Sequence, residues 1–195
     1  MTTMTLLILG LVLFLGVHST RAVAEGWRTT LRARLGDNGW KGAYSVVSLV
    51  GFVLICYGYG LARQQPMVLW ASPTWTRHLA ALLTLPAFVM LPAAYVPGNA
   101  IKARLKHPMV LAVKVWALAH LLANNTLADV LLFGGFLVWA VLSYRAARQR
   151  DRASNIVYAP GRAGPTAVTV AIGVAAWVAF AFWGHAALIG VRPFG

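Results

Sequence analysis

The sequence predicts an all-α polytopic membrane bundle of six transmembrane helices, and three observations carry that reading. Apolar types make up 59% of the 195 residues and the mean hydropathy is +0.70, whereas a soluble domain is about 45–50% apolar with glycine included. Crossing roughly 30 Å of hydrocarbon takes about 20 apolar helical residues, and six runs approach that length: 5–22, 42–61, 77–96, 108–124, 127–144 and 165–189. Seventeen Lys and Arg against four acids give a net charge of +13, and these cations gather in short connections between the runs. Such a charge ordinarily raises nucleic-acid binding. Placed this way it instead orients a membrane protein against an anionic cytoplasmic face, so the lipid bilayer is the expected partner and nucleic acid is not.

The elements follow in order, as one domain over 1–195. The first run carries no charge before it, and its first basic residue, Arg21, comes only at its end, which reads as a retained helix rather than a cleaved signal. Gly10 and Gly16 on this helix, with Gly51, Gly58 and Gly60 on the second, permit close backbone approach. The third run contains Pro86 and Pro92 and is expected to kink. The fourth is short and interrupted by Lys114, and opens with His107-Pro108, ordinary helix-start chemistry. The fifth begins after Asn124-Asn125-Thr126, with Asp129 in its first turn, where a negative charge suits the helix dipole. Arg21 and Glu25 are spaced as an i,i+4 pair. Arg145 to Gly164 is polar enough to be mobile.

Backbone polar groups left unpaired in lipid are too costly to tolerate, and no alternating β pattern occurs, so every span is expected to be helical. Basic residues crowd the connections after the first, third and fifth spans, while the intervening connections and the termini carry few. Both termini are therefore expected on the periplasmic side of a bacterial inner membrane. Trp70, Trp75 and Trp183 fit an outer interfacial belt, and Trp27 and Trp40 an inner one.

Chemistry is expected at histidine, because ionisable groups are expensive in hydrocarbon and usually face a bundle interior or a metal. His120 lies deep in the fourth run, aligned at spacings of four with Trp116 and Asn124, which would place a ring below and an amide above it. His18 lies toward the inner end of the first helix. Lys114, seven residues after His107 on nearly the same face, would snorkel or neutralise an anionic ligand group. His78 and His185 read as interfacial anchors. Cys56 is the only cysteine, which rules out disulfides and thiolate metal sites within one chain. Walker, HExxH, GxSxG and dinucleotide patterns are absent, and the scarcity of buried acids removes carboxylate relays. Several neutral imidazoles in an apolar bundle with basic loops suit haem, with copper or zinc left open.

Four segments are identified as similar to the NnrU family of bacterial membrane proteins and, more distantly, to 15-cis-zeta-carotene isomerase. They are Gly16-Val17-His18-Ser19, Gly36 to Ser45, Ile101 to Pro108 and Trp116 to Asn124. The resemblance implies a role in denitrification, in nitric oxide and nitrite metabolism, with nitric oxide reductase or other denitrification components as partners. The isomerase relative implies haem b, with His18 and His120 in the positions of its iron ligands; His107, Trp116, Asn124 and Lys114 are expected as further cofactor contacts from their own places along the fourth span. Three departures put carotene isomerisation in doubt: His18-Ser19-Thr20 for His-Ser-Gly, His107-Pro108-Met109 for His-Pro-Gln, and Ala117 for a cysteine.

Depth creates a tension. At 1.5 Å per residue His107 and His120 are about 20 Å apart, and simple boundaries place His18 and His107 near the inside and His120 near the outside. Two ligands on opposite faces of one iron lie within about 4 Å of each other, given metal–imidazole bonds near 2 Å. Either the first helix sits deeper than its hydropathy suggests or the ligand pair differs. Two rivals stand beside the haem reading. One is a transferase or reductase resembling the isoprenylcysteine carboxyl methyltransferase and sterol reductase group, using Lys106-His107-Pro108 at a cofactor pocket, for which no downstream Arg and Glu pair on a membrane helix is evident; the other is a non-enzymatic accessory protein.

Overall fold

The computed structural model describes residues 2–194, and they are helical almost throughout. In order, α1 is Thr2–Val23, α2 Glu25–Ala62, α3 Trp75–Ala93, α4 Ala100–Leu105, α5 Pro108–Ala123, α6 Leu127–Ala153 and α7 Ala163–Ala179. A π-helical turn, Phe180–Gly184, continues α7 into α8, His185–Ile189. Among the described residues there is no strand, only isolated bridges at Val68–Thr126 and Asn99–Arg162.

The six-span expectation is met in part. Five helices are long and apolar enough to cross a membrane: α1, α2, α3, α6 and the run Ala163–Ile189. The fourth expected span, α5, has only 16 residues, about 24 Å of helix, because Pro108 fixes its start and Asn124, in extended backbone, fixes its end.

Other expectations change at the ends of elements. The basic connection after α1 is helical, so α2 runs 38 residues, with one break at Gly36, whose φ of 71° is a conformation glycine adopts without a Cβ clash. Ala24 leaves helical backbone between α1 and α2, so Arg21 and Glu25 do not pair as helix neighbours; Glu25 binds Arg28 at 2.9 Å instead. Trp40 is not an exposed belt residue but 8% exposed, packed against Trp27 and Tyr44. Arg145 to Gly164 is held down: Arg162 N–H donates to the Gly98 carbonyl at 2.8 Å, and Tyr158 is anchored at Asp151.

Packing follows one row, α2–α1–α6–α5–α3–α7, each helix against the next. The core is built largely from alanine with Leu7, Leu11, Ile55, Leu132, Phe133 and Met90, because without a water-driven force between helices in lipid, small residues bring backbones close enough for dispersion to hold them. The closest approach is α1 on α2: a Cβ on Gly10 would lie 2.6 Å from Ile55 N, and one on Gly58 2.5 Å from Leu7 N.

Candidate functional site

His18 and His120 stand on either side of α6. On α1, the His18 ring stacks on Phe14, one turn back, with centroids 4.2 Å apart, and meets Tyr44 of α2 at 5.2 Å and the edge of Trp139 of α6 at 6.3 Å. On α5, the His120 ring stacks on Phe133 of α6 at 4.6 Å and tilts over Trp116 at 5.1 Å.

The two rings share one local geometry. His18 Nδ1 lies 2.6 Å from the Phe14 carbonyl and His120 Nδ1 2.8 Å from the Trp116 carbonyl. A carbonyl only accepts, so each Nδ1 carries a proton, and in the neutral ring Nε2 then presents a lone pair. Neither Nε2 has a hydrogen-bond partner among the described residues. This is the tautomer in which histidine binds a metal, with the second nitrogen held by a carbonyl.

Asn124 does not orient the imidazole as the spacing of four suggested. Its amide donates to the His120 carbonyl at 2.8 Å, beside its own backbone N–H, which donates to the same carbonyl at 2.9 Å, and so closes the end of α5. The carbonyl of Trp116, rather than its ring alone, sets the rotation of His120.

The two imidazoles are not in contact. They are linked through Phe14, Phe136 of α6 and Trp116, with centroids 5.8 Å apart for Phe14–Phe136 and 5.6 Å for Phe136–Trp116. Their partners on α6, Phe133 and Trp139, are six residues apart, about 9 Å of rise. His18 is thus the deeper toward the basic end, as the hydropathy boundaries implied.

Sequence reasoning missed the α6 side of this site. Phe133, Phe136 and Trp139 recur at spacings of three on one helical face, a signal present in the sequence but shared with ordinary core packing. It also passed over Asp129 as more than a dipole residue. Its carboxylate, 5% exposed, closes a capping box with Thr126 and accepts the Tyr59 hydroxyl of α2 at 2.6 Å.

His107 belongs to a different place. Its Nε2 meets Asp151 Oδ2 at 3.0 Å, where Arg148 donates at 2.8 Å and Tyr158 at 3.0 Å, and Lys106 lies 4.5 Å over the Tyr158 ring. Arg148 and Asp151 of α6 thus surround the Lys106-His107-Pro108 element, without being the Arg and Glu pair that a transferase pocket would add. Their donors converge on one carboxylate oxygen, which ties the α6–α7 connection to the start of α5. Lys114, half-buried on α5, has no ion-pair partner among the described residues. His185 donates from Nδ1 to the Val191 carbonyl at 2.7 Å.

Among the described residues no three His, Cys, Asp or Glu converge as a small-ion site would require. Haem makes a smaller demand, one or two axial ligands within an apolar aromatic slot. Either Nε2 lone pair alone fits it as a ligand, but about 9 Å of rise and the Phe14–Phe136–Trp116 file keep the two from the roughly 4 Å separation that one iron needs. The buried Trp139 Nε1–H beside His18 has no hydrogen-bond partner among the described residues; it is a proton donor that suits a polar edge of the group rather than the metal.

Compared with known proteins, the chain matches over residues 6–193 a family model described as NnrU protein. No curated protein and no solved structure matches it.

Proposed function

The chain belongs to the NnrU family, and on that premise we propose that it is an integral inner-membrane haem b protein of denitrification, acting in nitric oxide and nitrite metabolism beside nitric oxide reductase or related components. His18 and His120 are the iron's ligands. The observation that carries this reading is the pair of membrane-level imidazoles, each with Nδ1–H fixed to a carbonyl and Nε2 left unclaimed among aromatic rings. An unpaired acceptor in an apolar interior is expensive, and coordination removes that expense. Phe14, Phe136, Trp116 and Phe133 would supply apolar walls, and Trp139 Nε1 a donor beside the His18 position. Both imidazoles serve one iron only if the Phe14–Phe136–Trp116 file repacks against the macrocycle.

When bound, haem supplies one-electron chemistry, and a labile axial position would admit nitric oxide. The chain's own contribution is to hold each imidazole in the ligating tautomer and to exclude water with the aromatic file. In the membrane the reading has six crossings, α5 being the short one, with both termini periplasmic.

The test is the spectrum of protein purified from haem-supplied cells, with and without dithionite and nitric oxide. Wild type is expected to give a Soret band of six-coordinate iron. His18→Ala and His120→Ala singly leave five-coordinate iron that binds nitric oxide, and the double variant loses the band. No Soret absorption in the wild type, or an undiminished spectrum in the double variant, would overturn it. A strain carrying the double variant should show impaired denitrification; unchanged denitrification would transfer the function to an accessory role without haem.

A further inference from the structure

The last helix of the row, α7, packs one face on α3 and α4, and beside the α4 contact lies an open groove of about 700 Å³. Arg162 stands at its mouth, Ala100 of α4 forms one wall, and Ala167, Val170, Ala171 and Val174 form the floor. From Ala163 to Val174 the floor runs about 16 Å at 1.5 Å per residue, half of the roughly 30 Å hydrocarbon core. The groove is one leaflet deep. Its walls are pinned, because Ala100 N–H donates to Thr166 Oγ1 at 2.8 Å while that hydroxyl donates to the Arg162 carbonyl at 2.7 Å.

The Arg162 guanidinium lies over Gly98, where a Cβ would be 3.1 Å from Nη2. Gly98 thus makes room for it, and its own φ of 71° suits glycine. Among the described residues the guanidinium has neither an ion pair nor a hydrogen-bond acceptor, so its fork of donors is free for a phosphate, the group it pairs with bidentately.

We propose that this groove holds one anionic phospholipid, its phosphate on Arg162 and an acyl chain along Ala167, Val170, Ala171 and Val174. Charge disfavours a second copy of the chain as occupant. All four acidic residues are engaged: Glu25 with Arg28, Asp37 with Arg32, Asp129 with Tyr59 and Thr126, and Asp151 with Arg148 and His107. Among the described residues every carboxylate of a second copy thus already faces a cation or hydroxyl of its own chain, which makes a phosphate the better match for Arg162. A free phosphate would leave the apolar floor unused. The proposal is independent of haem.

Native mass spectrometry of the purified protein, exchanged into equal amounts of phosphatidylglycerol and phosphatidylcholine, tests it. Wild type is expected to retain one phosphatidylglycerol in preference, Arg162→Gln to lose about fivefold of that preference, as one basic residue near an anionic surface implies, and Ala167→Trp to lower retention of both lipids. Arg162→Gln leaves the backbone contact to Gly98 intact, so it remains decisive if Ala167→Trp misfolds. Equal retention of the two lipids by wild type would overturn the proposal, as would an unchanged preference in Arg162→Gln. So would displacement of phosphatidylglycerol by inorganic phosphate alone, or a dimer that Ala167→Trp dissociates without changing lipid retention.

Discussion

At Asp151, beyond the apolar part of α6, one carboxylate oxygen receives His107, Arg148 and Tyr158, and the side chain is 12% exposed. Burial works to raise its pKa, but hydrogen bonds from Tyr158, His107 and Arg148 and the neighbouring charge outweigh it and hold the carboxyl below the usual carboxylate range. The same contact, after burial, pushes the Tyr158 hydroxyl up. A group whose folded pKa is depressed stabilises above its unfolded value, about 3.9, and loses that contribution as pH falls through the lower folded value. Thermal melts of detergent-solubilised protein should therefore show Asp151→Ala less stable than wild type by about 1–3 kcal/mol at pH 7, with the gap closing below pH 4; a gap that persists in acid would refute the clamp. The histidine identities were legible in the sequence because ionisable residues in apolar runs stand out. The ring orientations were not, since the carbonyl that fixes each one lies in its own helix backbone and every helical residue offers such a carbonyl.

Helix pairs are decided by what is missing from them. Gly10, Gly51 and Gly58 let α1 and α2 approach until backbone meets backbone, with Gly51 Cβ space ending at Phe14 N, 2.7 Å away. Gly58→Ala forces the two helices apart, and overpacking of this kind costs about 1–3 kcal/mol; Gly60→Ala, where open space surrounds the position, is expected to cost nothing and to gain helix propensity. Comparing their unfolding in detergent separates packing from propensity, and equal stability of the two would contradict the contact. The glycines were readable as candidates for close approach, but only the antiparallel register of α1 on α2 distinguishes Gly58 from Gly60. Element ends were least legible: hydropathy marks the apolar part of α2 from 42 onward, yet helix continues back to Glu25, because polar residues satisfy a helix outside the membrane as readily as inside.

Over the whole molecule, the two ends of the bundle are chemically distinct. Arg150 donates to the Arg21 carbonyl at one end, where His107, Asp151 and Arg162 also lie. At the other, Arg63 donates to the Ile189 carbonyl, Leu7 meets Gly58, and Leu127 N–H donates to the Met67 carbonyl. The start of the first helix and the end of the last thus lie at the same end of the bundle, opposite the basic connections. In a Cys56→Ser background, membrane-impermeant maleimide should label Ala71→Cys in intact cells and Arg152→Cys only after permeabilisation; the reverse pattern would invert the orientation.

By itself the sequence determined the helical class, the near positions of the apolar helices, the segregation of charge and which imidazoles fall within apolar helices, since each follows from the free energy of placing a residue type in hydrocarbon. Only the tertiary structure decided that α6 stands between α1 and α5, that aromatic rings connect His18 to His120, and that Arg148 and Asp151 complete the surroundings of His107. In a bilayer every apolar face is equally acceptable to lipid, so transfer energy is silent about neighbours, and complementary shape between helices makes that choice.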